Sequence, residues 1–112
     1  MGWAVESYQT EGGSDVLDEF VDGLDREAQA EAIALLQLVE ARGNRIRLPH
    51  SRSLGKGLNE LRGKKSGVRM FYAFRPGQRV VVLGGIVKKQ ARIPAAVLAR
   101  MRDRLTDVRK NE

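Results

Sequence analysis

Apolar residues follow two rhythms along the chain: three- and four-residue steps between Val16 and Val39 and again after Ile93, with alternating or continuous runs between Leu58 and Val87. The first helical stretch carries Val16, Leu17, Phe20, Val21 and Leu24, with Ser14 as its capping residue, Asp15 and Asp18 in its first turn, and a break at Gly23. A second helix opens at Asp25 and runs to Arg42. Its stripe is Ala28, Ala32, Leu35, Leu36 and Val39, and Gly43-Asn44 stops it. The pair reads as a helical hairpin with its acidic residues outward. Ahead of it, Trp3, Val5 and Tyr8 predict a short edge strand near residues 3 to 9.

Three β-like runs follow, Leu58 to Arg62, Val68 to Arg75 and Arg79 to Lys88, separated by Gly63-Lys64-Lys65-Ser66-Gly67 and by Pro76-Gly77. They predict an antiparallel meander. The segment from Arg45 to Gly57 is basic and aperiodic and reads as a loop. Ile93-Pro94 opens a last helix with proline at its first position. Its stripe is Val97, Leu98, Met101, Leu105 and Val108, under a surface of Arg100, Arg102, Arg104 and Arg109. The expected architecture is α+β and a single domain over residues 1–112: strand, two helices, a three-strand meander forming a small antiparallel β-sheet, and a C-terminal helix.

Strand alternation puts Val68, Met70, Tyr72 and Phe74 on the core face of the middle strand, and Arg69, Phe71, Ala73 and Arg75 on the other. By the same rule Glu60 and Arg62 share an exposed face of the preceding strand, while Leu61 points to the helices. The third strand is apolar on both parities, so it belongs in the interior of the sheet. Gly84-Gly85 within it predicts a bulge or a close backbone approach.

The chain has no cysteine and one histidine, His50, which excludes disulfides, thiolate nucleophiles and Cys-type zinc sites. Neither metal nor cofactor is expected. Without a basic stretch leading into an apolar run, or a long apolar window, the chain reads as soluble and cytoplasmic, with no membrane partner. Charge is unevenly placed: residues 1–41 hold ten acids and one base, net minus nine, and residues 42–112 hold nineteen bases and four acids, net plus fifteen, within an overall +6. A field of that sign attracts polyanions and puts nucleic acid first among partners. The plainer alternative is two halves that attract one another on folding.

Arg62, Arg69, Lys88 and Lys89 at one end of the meander suit an RNA phosphodiester, since guanidinium forks and ammonium charges match phosphate oxygens. RNA carries its own nucleophile, the 2′-hydroxyl, so cleavage needs only a general base, a stabiliser for the charged oxygens and a proton for the leaving oxygen. His50 and Glu60 are the alternatives for the base. Glu60 is equally readable as a surface partner of Arg62 or Arg69. Lys64 and Lys65 are turn residues within reach of a backbone phosphate.

The run Leu54-Gly55-Lys56-Gly57-Leu58-Asn59-Glu60-Leu61-Arg62, then Val68-Arg69-Met70-Phe71-Tyr72, the valine-rich strand, Lys88-Lys89 and Ile93-Pro94, resembles the HigB-type, phage-related branch of the RelE/ParE toxin superfamily. The resemblance implies a RelE-like fold and the toxin of a type II toxin-antitoxin system, a ribosome-dependent, metal-independent mRNA endonuclease that inhibits translation. Its implied partners are the ribosome, mRNA and a cognate antitoxin, a helix-turn-helix protein in the HigA manner. Carried over by motif, Arg69 and Lys89 match the family's catalytic basic positions, Glu60 and Arg62 its E-L-R strand, and Lys56 a loop cation. Lys64, Lys65, Lys88, His50 and Arg92 are candidate RNA contacts. Where RelE-like members place a tyrosine, this chain reads Arg92-Ile93-Pro94-Ala95. Two other outcomes stay open: a ParE-like non-enzymatic gyrase inhibitor, which the same superfamily implies, and a nucleic-acid-binding accessory protein whose basic face contacts phosphates only.

Overall fold

The computed structural model describes residues 2–88 and 92–112. Its elements are β1 (Ala4–Ser7), α1 (Val16–Asp22), α2 (Arg26–Arg42), β2 (Ser51–Gly55), β3 (Leu58–Arg62), β4 (Val68–Arg75), β5 (Arg79–Val87) and α3 (Ala95–Lys110), with a 3-10 turn at Gly43–Arg45. The strands form one sheet in the order β1-β5-β4-β3-β2. The β3–β4–β5 meander is antiparallel as expected, but β1 lies parallel to β5, pairing Ala4 with Arg79 and Ser7 with Val82. The fold is α+β with a mixed sheet. The segment expected to be a loop supplies a fifth strand, β2, paired antiparallel with β3. Its Ser-Arg-Ser-Leu-Gly sequence lacks apolar alternation because it is an edge strand whose pairing, not its own propensity, holds it extended.

Both sheet faces are covered. On one, α1 and α2 bury Ala28, Ala32, Leu35 and Val39 against Leu61, Met70, Tyr72, Val80 and Val82. On the other, Met101, Leu105 and Val108 of α3 pack on Leu58, Phe71, Ala73, Val81 and Leu83. Phe71 and Ala73, expected on an open face, therefore belong to a second core. The α3 stripe needs an apolar counterpart, and the second parity of β4 and β5 provides it.

Gly84-Gly85 has both features its sequence predicts. The β4–β5 register slips between Phe71 and Tyr72, opposite this segment. A Cβ on Gly84 would come within 2.8 Å of the Met101 Cε, and one on Gly85 within 2.6 Å of the Phe20 ring, so helices press on the strand from both sides.

Asp15, rather than Ser14, caps α1, accepting from the Asp18 N–H at 2.9 Å and from the Ser7 hydroxyl at 2.6 Å. Asp25 caps α2 as expected, through the Ala28 N–H at 2.9 Å. Pro94 sits at the cap position of α3, one residue before its first helical residue. The α3 arginines are less free than a solvated surface would make them. Arg102 donates to the Leu54 and Gly55 carbonyls, Arg104 to Leu83 at 2.7 Å while lying over the Tyr8 ring, and Arg109 to Phe74. Burial, then the neighbouring Arg100 charge, lowers the Arg104 pKa, with Tyr8 opposing. Among the described residues no helix is long and apolar enough to cross a membrane.

Candidate functional site

The register of β2, β3 and β4 brings four charged side chains together. Arg62 pairs with Arg69 and Glu60 with Phe71 across β3–β4, while Arg52 pairs with Glu60 across β2–β3. Paired residues and their i±2 neighbours share a face. Glu60 Oε1 lies 3.4 Å from Arg52 Nη2 and 3.7 Å from Arg62 Nε, and Glu60 Oε2 lies 3.7 Å from Arg69 Nε.

Glu60 is 0% exposed, which overturns its expected place on an open sheet face. The added strand β2 and the three arginine side chains enclose it. A buried carboxylate is costly to desolvate unless opposing charge compensates, and here three guanidinium groups share that task. None meets hydrogen-bond geometry: among the described residues both Glu60 oxygens and Arg69 Nε lack a hydrogen-bond partner. The contact is coulombic, and three positive charges face one negative.

The arginines differ in how they are held. Arg69 is 13% exposed, and its Nη1 donates to the Gly63 and Val68 carbonyls at 2.9 Å each. Burial lowers its pKa from the usual guanidinium value; Glu60 opposes the shift, while Arg62 and Arg52 add to it. A guanidinium remains cationic at neutral pH even so. Arg62 and Arg52 are more open, at 31% and 45% exposure.

Arg62 also reaches a second assembly, an open cavity of about 380 Å³ between α2 and the β3–β4 turn. His50, Lys64 and Lys65 share its lining with Arg62, over the apolar side chains Ala34, Leu35 and Leu38. The turn is held from α2 by Glu31, which accepts from the N–H groups of Lys65 and Ser66. Lys88 follows β5 at the same end of the sheet as this turn, its N–H donating to the Gly67 carbonyl at 2.7 Å.

The remaining candidates lie apart or outside this description. Lys56 sits in the β2–β3 turn with φ of 53°, at the far end of β3 from Arg62. It lines a cavity with Arg102 and Arg109, beyond the start of a strand whose length from Leu58 to Arg62 is about 13 Å at the usual rise. Arg92 is exposed in the bend before α3. Lys89 lies outside the described residues. The residue the sequence pattern misses is Arg52. The signal for it is Gly55-Lys56-Gly57 read as a hairpin turn, which makes Ser51–Gly55 the partner of the Glu60 strand and sets Arg52 opposite Glu60.

Over residues 19–106 the sequence matches the family described as phage derived protein Gp49-like (DUF891). The span includes Arg52, Glu60, Arg62 and Arg69. No curated protein matches the chain.

Proposed function

The chain belongs to the Gp49-like family of phage-derived proteins (DUF891), a RelE/toxin-like family of toxin-antitoxin systems, and on that footing we propose that it is a HigB-type toxin cleaving mRNA on the ribosome. The reaction is transesterification within RNA. The 2′-oxygen attacks the adjacent phosphorus, the bond from phosphorus to the 5′-oxygen breaks, and the products are a 2′,3′-cyclic phosphate and a 5′-hydroxyl. A base takes the 2′-hydroxyl proton, and an acid returns one to the leaving oxygen.

The observation supporting this reading is the cross-strand pairing of Arg62 with Arg69 at the end of the meander where Lys88 emerges. Arg62, at the surface, meets the scissile phosphate. Arg69, tied to two carbonyls behind it, adds charge that opposes the negative charge building on the phosphorane oxygens. His50, beside Arg62 in the cavity, is the base, and Lys89 the phosphate clamp or proton donor. Glu60 is enclosed and holds the arginines in place. Lys64, Lys65, Lys88, Arg92 and Lys56 extend contact along the RNA backbone. The proposed partner in the resting cell is a helix-turn-helix antitoxin.

Mapping mRNA 5′ ends after induction tests this. Cuts within translated codons that disappear in Arg69→Ala are the expected result. Intact messages in growth-arrested cells overturn it, and damaged DNA beside intact messages points instead to gyrase.

A further inference from the structure

We propose that Arg52, set beside Arg62, forms a phosphate subsite for the RNA phosphodiester next to the one cleaved, so that β2 contributes directly to substrate binding. The inference rests on the RNA reading above and adds to it a residue and a position.

The argument begins with the imbalance around Glu60. One buried carboxylate is compensated by one well-placed cation, yet three guanidinium groups surround it. Arg69 is accounted for, since two main-chain carbonyls fix it and it is nearly enclosed. Arg52 and Arg62 are not. Among the described residues neither side chain donates a hydrogen bond to a protein acceptor, and each touches Glu60 only at salt-bridge range. Both are partly open to solvent.

Their placement suits two successive phosphates of one RNA strand. Arg52 stands opposite Glu60, and Arg62 stands two residues along β3 on the same face, a diagonal cross-strand relation of about 7–8 Å between backbones. Glu60 between them draws the two forks into one neighbourhood and offsets their mutual repulsion. The surplus charge faces outward, where a phosphate with its planar, bidentate match to guanidinium neutralises it. Arg52 thus acts on binding, one phosphate away from the bond that breaks.

The test is the salt dependence of binding to a labelled, fully 2′-O-methylated single-stranded RNA, which cannot be cleaved by its own hydroxyl. Each phosphate contact contributes about 0.7 to the slope of log K against log salt on a single strand. Arg52→Ala is expected to flatten the slope by that amount, so that a fourfold rise in salt weakens it about 2.6-fold less than the wild type. Arg52→Lys should keep the slope and bind more weakly, because the charge remains and the fork is lost. Arg100→Ala, which makes no ion pair with Glu60, controls for loss of charge alone. If Arg52→Ala is poorly folded, Arg52→Gln and Arg52→Lys carry the comparison. A wild-type slope in Arg52→Ala or Arg52→Gln, with a lowered melting temperature, makes Arg52 a counter-ion of Glu60 only and overturns the inference while leaving the RNA reading intact. Failure of the wild type to bind the RNA overturns the subsite, whereas the ribosome-dependent reading stands or falls on the mapped mRNA 5′ ends.

Discussion

Glu31 of α2 grips the turn beyond Arg62 through Ser66: its carboxylate accepts from the Ser66 N–H at 2.9 Å and from the Ser66 hydroxyl at 2.5 Å, with the Lys65 N–H adding a third bond at 3.0 Å. The acidic helix therefore fixes the basic turn through its main chain, and the Lys64 and Lys65 ammonium groups are not used up in holding it. Burial pushes the Glu31 carboxyl up, but the Ser66 hydroxyl and the N–H groups of Lys65, Ser66 and Lys64 outweigh it and hold its pKa below the usual carboxylate value.

A depressed folded-state pKa stabilises above the unfolded pKa and is lost as pH falls through the folded one. Glu31→Gln should cost about 1–2 kcal/mol at pH ~7, and the gap from wild type should close below pH ~4. Urea unfolding at both pH values checks this. An equal gap at both would show that the carboxylate charge is irrelevant to the turn.

Removing the Glu60 carboxylate leaves three arginines facing one another, Arg69 with little access to water. Glu60→Ala should destabilise by about 3 kcal/mol, read as a lower urea midpoint with an unchanged slope. A change below ~0.5 kcal/mol would mean that the cluster is not held by its central charge.

Loss of Arg62 should act on chemistry. Arg62→Ala is expected to reduce cleavage of ribosome-bound mRNA about 10²–10³-fold, the usual effect of deleting a donor to a developing oxyanion. Arg100→Ala should cleave as the wild type does. Equal rates in all three proteins would remove Arg62 from the reaction.

Ser51 and Tyr72 join hydroxyls at 2.5 Å in the interior, tying edge strand β2 to β4. Burial raises the Tyr72 pKa, and the Ser51 bond opposes that shift. Ser51→Ala and Tyr72→Phe should each cost about 1–2 kcal/mol, and the double variant should cost less than their sum, because each single change strands a buried partner. Strict additivity in a thermal denaturation cycle would deny the bond an energetic role.

Gly43 ends α2 with φ of 52°, and a Cβ there would overlap the Trp3 indole. Gly43→Ala should destabilise by about 1–3 kcal/mol and shift the emission of the single tryptophan. An unaltered spectrum would show that the indole has room to move aside.

The helices, the meander and the interior place of β5 were legible because each carries a periodic apolar pattern that packing enforces. Strand β2 was not, since Ser51, Arg52 and Ser53 satisfy backbone pairing without displaying a pattern. With β2 hidden, the enclosure of Glu60 was hidden too, and so was Arg52 as its neighbour. The placing of Arg62 and Arg69 at one end of the meander followed from the order of the strands, while their direct pairing is set by the β3–β4 register, which no local pattern displays. Arg102, Arg104 and Arg109 show the opposite difficulty: a long cation that reaches a carbonyl has the same sequence signature as one that reaches water.

The parallel seam between β1 and β5 carries a consequence for synthesis. Ala4 must wait for Arg79, 75 positions later, before it can find its neighbour. Closing so long a loop comes late in folding, after hairpins whose partners are near in sequence. A nascent chain can therefore assemble β2, β3 and β4, with the arginines they carry, while its first strand is still unattached. The cationic end of the sheet takes shape in the vicinity of the translating ribosome before the opposite margin is sealed.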